Sequence, residues 1–259
     1  LRGEIAERRG LLQVDRDDLP ADLQRSKWDF AFRYVALPYA LTVRAEKILP
    51  SIAADSLVSF HLDTEQLETR ALMVFEVKRA GVFELEATVP AGDEVVDVRG
   101  VGAGGAAAAA VEDHHMSDEG APAGRRLLRV NLSRKAIGRV GLSIRLRRPL
   151  TLPELLEPTG RAATIALSVP RAAGERLERE TGRLVVYALE SLRVNPKESA
   201  GLRAVTHQEA TRGMPGAQRR RGRKVATDRA VLAYAYADPD VRLAIDAERR
   251  APHVTARQL

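Results

Sequence analysis

The chain has 259 residues, no cysteine, and a net charge of +6 carried almost wholly by arginine, since only six lysines are present. That length buries a sizeable core in one large or two ordinary domains. The missing thiols exclude a disulfide framework, thiol catalysis and thiolate metal sites.

From the N-terminus, residues 1–24 hold a short extended piece at 11–14 and a polar loop, DRDDLP. Phe30, Phe32 and Tyr34 then share one strand face at period two, Pro38 interrupts, and Leu41, Val43 and Ala45 continue on a second strand. Residues 71–78 (ALMVFEVK) and 82–89 (VFELEATV) read as a hairpin turning at Arg79, Ala80 and Gly81, with Phe83, Leu85, Ala87 and Val89 on its core face. After the turn at Pro90 to Asp93, Val96 and Val98 repeat the alternation. Residues 100–124 (GVGAGGAAAAAVEDHHMSDEGAPAG) break the rhythm and read as a mobile excursion. Strand pattern returns at 127–132 and in Val140, Leu142, Ile144 and Leu146; Ile165, Leu167 and Val169 follow, and then RLVVYALE. Short strands separated by turn residues, with little helix, predict an all-β antiparallel β-sandwich, either one enlarged sandwich or two packed ones dividing near Leu150.

The chain also repeats itself. At an offset of 202 residues, Ala31, Tyr34, Leu41, Ala45, Glu46, Pro50, Ala54 and Leu57 match Ala233, Tyr236, Leu243, Ala247, Glu248, Pro252, Ala256 and Leu259. Phe30, Phe32 and Val43 face the similar Leu232, Tyr234 and Ile245. Upstream the offset is 191, pairing Leu1, Arg2, Glu7, Gly10, Leu11 and Val14 with Leu192, Arg193, Glu198, Gly201, Leu202 and Val205, and an insertion around 214–224 accounts for the difference. The expectation is a tandem repeat: 1–27 as the tail of a preceding module or a linker, 28–150 as a first sandwich region, 151–191 as its completing strands, and 192–259 as the start of a second copy of 1–57. The opening segment would then follow a strand equivalent to 184–189.

Chemical signatures are sparse. Asp113, His114, His115 and Asp118, flanked by Glu112 and Glu119, are the one place where metal-ligand types crowd together, and they form the candidate metal site; the spacing fits no rigid motif. Arg219, Arg220, Arg221, Arg223 and Lys224 form the candidate anionic-ligand site. Without stacking aromatics beside that run, nucleic acid is not the expected partner. His61 with Asp63, and His207 with Glu209, each share a strand face but have no nucleophile in register. Trp28 precedes a core strand and reads as structural. Nucleophile-elbow, phosphate-loop and dinucleotide motifs are missing, so no cofactor and no enzymatic activity are expected.

The succession YALTVRAEKI, LETRALMVFEVKRAGVFELEATVPAGDEVVDVRG, RRLLRVNLSRKAIGRVGLSIRLRRP and GRLVVYALESLRV resembles the repeated β-sandwich modules of very large envelope-associated proteins of bacteria such as planctomycetes. The resemblance implies an all-β fold, a periplasmic or cell-surface setting and a structural or binding role, and it implies no catalytic residues. The expected function is therefore a non-catalytic spacer, scaffold or adhesive module whose partners are neighbouring repeats. The alternative is a module for a carbohydrate or an anionic ligand. No apolar run approaches a membrane span of ~18 residues, and LRGEIAERRG is not a signal peptide. If the strands at 231–236 and 241–248 lose their neighbours at the end of such an array, their open edges predict a homo-oligomer through 231–259.

Overall fold

A computed structural model describes residues 2–24, 30–46, 48–212, 229–238 and 240–251. Its strands are β1 (Arg2–Arg9), β2 (Leu11–Gln13), β3 (Phe32–Tyr34), β4 (Ala40–Glu46), β5 (Ser51–Leu62), β6 (Gln66–Pro90), β7 (Glu94–Gly100), β8 (Ala107–Ala108), β9 (Val111–Ser117), β10 (Arg125–Pro149), β11 (Ala163–Leu167), β12 (Arg171–Ala173), β13 (Leu177–Ala188), β14 (Leu192–Ala200), β15 (Arg203–Ala204), β16 (Arg229–Tyr236) and β17 (Arg242–Arg249). Among the described residues three single-turn α-helices, α1 (Ala21–Gln24), α2 (Pro153–Leu156) and α3 (His207–Ala210), and a 3-10 turn at Arg16–Asp18 lie between them. The fold is all-β, and the chain divides into two compact units, Leu1–Leu49 and Pro50–Leu259.

In the first unit β1 pairs antiparallel with β4, and β2 with β3. Gly10 makes the turn from β1 to β2 at φ 64°, where a Cβ would come within 2.5 Å of the Ala36 carbonyl oxygen; glycine alone fits there without strain. All seven residues of β4 are exposed. The strand at β1 was hidden by its sequence, because RGEIAERR offers no apolar alternation.

The second unit is built on a ribbon of two 25-residue strands, β6 and β10, paired antiparallel from Gln66↔Pro149 to Pro90↔Arg125. The expected hairpin at 79–81 is therefore not there. Instead Arg79 takes φ 66° and Gly138 φ 78°, and the register slips opposite them, between Asn131 and Gly138. Strand β6 passes through this irregularity without reversing. A Cβ on Gly81 would lie 2.7 Å from the Ala136 carbonyl oxygen, so β10 crowds the place where a reversal was expected. Such bulges bend a ribbon and turn its two ends toward different neighbours within one sheet. On one side of the slip β5 and β7 flank the ribbon; on the other, β12 and β9 do.

The slip also changes which side chains point inward. Phe83, expected in the core beside Leu85, is exposed. In β7 a second slip turns Val95 rather than Val96 toward the core. The excursion at 100–124 contains an edge strand, β9, whose polar sequence VEDHHMS needs no buried face because it borders β10 on one side only.

Beyond β5 the sheet continues through β13, parallel to β5, to β16 and β15. A three-stranded sheet, β11-β17-β14, completes the unit. The edges expected to be open at 231–236 and 241–248 are closed: β16 lies between β13 and β15, and β17 between β11 and β14. Leu243, Ile245, Ala247, Tyr234 and Tyr236 join Val58, Phe60, Phe75, Leu142, Ile144 and Leu184 in one hydrophobic core. Strands β16 and β17 thus pair with β13 and β11, strands that precede them in the chain.

Candidate functional site

The two segments matched in the sequence carry the same backbone ladder. Arg2↔Glu46 in β1·β4 corresponds to Arg193↔Glu248 in β14·β17, and the last pairs, Arg9↔Ala40 and Ala200↔Arg242, correspond as well. Even the slip recurs, between Ile5 and Glu7 in one and between Pro196 and Glu198 in the other. Leu12↔Arg33 and Gln13↔Phe32 answer to Arg203↔Ala235 and Ala204↔Tyr234. The Val14 amide donates to the Ala31 carbonyl at 3.1 Å, and the Val205 amide to the Ala233 carbonyl at 3.0 Å. Gly201 repeats the turn of Gly10, at φ 73°.

What distinguishes the second segment is its seat. Strand β13 presents Gly182 between Ser56 of β5 and Tyr236 of β16. The Tyr236 ring crosses that glycine so closely that a Cβ would lie 2.4 Å from its Cζ and Oη and 2.7 Å from the Ser56 carbonyl oxygen. Period-two alternation puts Glu180 beside Gly182 on the same face. Its Oε1 accepts from the Ser56 hydroxyl at 2.8 Å and its Oε2 from the Ala172 amide at 3.0 Å. Arg125 donates to the Thr88 hydroxyl at 3.0 Å and to the Thr88 and Val169 carbonyls at 2.8 and 2.7 Å. Arg171 reaches Asp240, which follows β16, at 3.6 Å.

Burial governs the electrostatics of this cluster. It raises the Glu180 carboxyl above the ordinary glutamate range, opposed by the Ser56 and Ala172 hydrogen bonds and by Arg171 and Arg125. Burial, with help from Arg171, pushes Arg125 down to about 10. The Tyr236 hydroxyl is raised by burial and by Glu180, and it has no hydrogen-bond partner of good geometry. Ser56, Glu180 and Tyr236 are all buried, so the cluster ties β5, β13 and β16 together inside the unit.

A second contact fixes the same segment from the rim. His61 of β5 and Tyr187 of β13 are register partners, stacked at 4.8 Å and 7° between planes. Tyr187 Oη lies 2.9 Å from His207 Nε2 of α3. Thr206 caps α3 by accepting from the Glu209 amide, and Glu209 pairs with Arg203. Asp63 is occupied in its own turn, accepting from the Thr64 amide at 2.6 Å. The two histidine pairs singled out in the sequence therefore meet on one tyrosine, and their carboxylates face elsewhere.

The candidate metal residues lie on and just after β9. Asp113, His114 and His115 stand opposite Asn131, Val130 and Arg129, so the adjacent histidines point to opposite faces. Asp113 accepts from the Asn131 amide group at 2.6 Å, and Asp118 pairs with Arg126 at 3.0 Å. Among the described residues no group of three or more His, Asp or Glu is placed to hold a metal. Arg219, Arg220, Arg221, Arg223, Lys224 and Trp28 lie outside the described residues. An open cleft of about 500 Å³ at the ends of β14 and β17 is lined by Arg193, Glu248, Arg249 and Arg250. No helix among the described residues is long and apolar enough to cross a membrane.

The Glu180 cluster escaped the sequence reading because its members are scattered over more than a hundred residues. The one local signal was Ser56, a polar residue inside the buried run of β5.

No family model matches the chain, and no curated protein does. Solved structures similar to it include LTA4 hydrolase from yeast in complex with bestatin, at 11% identity and a TM-score of 0.40 over 76% of this chain and 28% of that one. An M1 zinc metallopeptidase from Deinococcus radiodurans is 10% identical at a TM-score of 0.39, over 76% of this chain and 42% of that one. The chain spans less than half the length of each, and at TM-scores of this size nothing about its activity follows from them.

Proposed function

We propose that the chain is a non-catalytic structural module, a spacer or scaffold of a repetitive bacterial envelope protein, in which each repeat is locked to the strands before it. The observation that carries this is the shared ladder: two segments 191 to 202 residues apart have the same pairings, the same slip and the same left-handed glycine. Chance similarity between apolar strands would not reproduce a bulge at one equivalent position. The Glu180 cluster supports the same reading, since it is buried and ties β16 of the second segment to β13 and β5.

The test is small-angle scattering on the chain and on versions lengthened by one and two further copies of residues 1–191. A rod gains a constant increment of maximum dimension per copy. A radius of gyration growing only as about the 0.4 power of length, as in a single globule, would overturn the spacer. The alternative, a module for an anionic ligand, is favoured by the three arginines at the cleft beside Glu248. Saturable binding of an anionic glycan that is lost in Arg249→Ala would select it.

A further inference from the structure

We propose that the outward face and free edges of β3 and β4 are a docking surface for a further copy of the body formed by residues 50–191. The inference rests on the reading of the chain as a repeat module and names the partner of its first segment.

Two strands of the first segment, β3 and β4, each lack one neighbour that their counterparts have. Among the described residues β4 pairs only with β1, whereas β17 also has β11. Likewise β3 pairs only with β2, whereas β16 also has β13. Both missing strands, β11 and β13, belong to one body, the one that precedes the second copy in the chain. The side chains match the missing strands. Tyr34 is 68% exposed and Tyr236 6%, Leu41 42% and Leu243 4%, Val43 49% and Ile245 0%. A monomer surface rarely keeps such residues together without a partner, and here the second copy supplies the template. In that register Val43 would face Ile165 of the added body, Leu41 would face Leu167, and Tyr34 would cross Gly182. The joint between modules is then strand donation, not a flexible tether.

The experiment places a second copy of residues 50–191 directly before Leu1 of the full chain, where residue 191 precedes Leu192 naturally, and follows amide exchange of β4. We expect exchange at 40–46 to slow by at least about tenfold relative to the unextended chain, toward the rate of 242–249. Val43→Asp should cancel the slowing while leaving the melt of the unextended chain unchanged, because Val43 is exposed there. Unchanged exchange at 40–46 in the extended chain would overturn the docking. Slowing that appears in the unextended chain and grows with its concentration would overturn it too, because the occupant would then be another whole chain. Scattering on the same sample separates the two proposals. A constant increment with fast exchange at 40–46 leaves the spacer and removes the docking; slow exchange in a compact particle leaves the docking and removes the spacer.

Discussion

Strands β1 to β4 and strands β14 to β17 form equivalent ladders in two circumstances. Both form a bulged antiparallel pair, a left-handed glycine turn and a short second ladder, yet one leaves Tyr34, Leu41 and Val43 in solvent while the other buries Tyr236, Leu243 and Ile245. Local pairing therefore does not depend on the body, whereas burial does. Backbone hydrogen bonds and turn chemistry set the ladder, and the apolar face gains its free energy only where β11 and β13 cover it.

The largest expected break in the comparison comes from putting a charge at equivalent positions. Ile245→Asp buries an unpaired carboxylate between β11 and β14 and should cost about 4 kcal/mol, read as a fall in the urea midpoint. Val43→Asp should stay within about 0.5 kcal/mol of the parent in the same melt. Next comes the seat. Gly182→Ala drives a methyl into Tyr236 and the Ser56 carbonyl and should cost about 2 kcal/mol. Tyr236→Phe, which removes an unpartnered buried hydroxyl, should be neutral or slightly stabilising. The turn glycines share a positive φ, so Gly10→Ala and Gly201→Ala should each cost about 1 to 2 kcal/mol for that reason; Gly10→Ala should cost more, because its Cβ would lie 2.5 Å from the Ala36 carbonyl oxygen, against 3.2 Å from that of Asp240 at Gly201.

The smallest effect is one of pH. Burial raises the folded-state pKa of Glu180, so the folded protein holds that proton more tightly than the unfolded chain does. Stability from this group rises as pH falls from its raised folded value toward the ordinary glutamate range, and falls as pH climbs back. Glu180→Gln should flatten that slope in melts run across the acid limb, whatever it does to stability at neutral pH.

The all-β fold and the strands at 140–146 and 165–169 were legible because their alternation reports one buried face. The hairpin at 79–81 was misread because a left-handed Arg79 and a glycine look like a reversal, and only the partner strand β10 decides between a turn and a bulge. Strand β9 was misread because an edge strand needs no apolar face. The Glu180 cluster was invisible because strands far apart in the sequence supply it, and Glu180 follows Glu178 and Arg179 in a charged stretch that looks like surface. The residue matches between 1–57 and 192–259 were legible in the sequence, but the contrast in burial between matched residues depends on which strands lie beside each segment.

The most direct measurement is amide exchange of β4 and β17 within the unmodified chain. Residues 242–249 should exchange at least about a hundredfold more slowly than residues 40–46, although the two strands sit in equivalent ladders. Rates within a factor of about three would mean that the body adds nothing to the second copy, which would contradict the account.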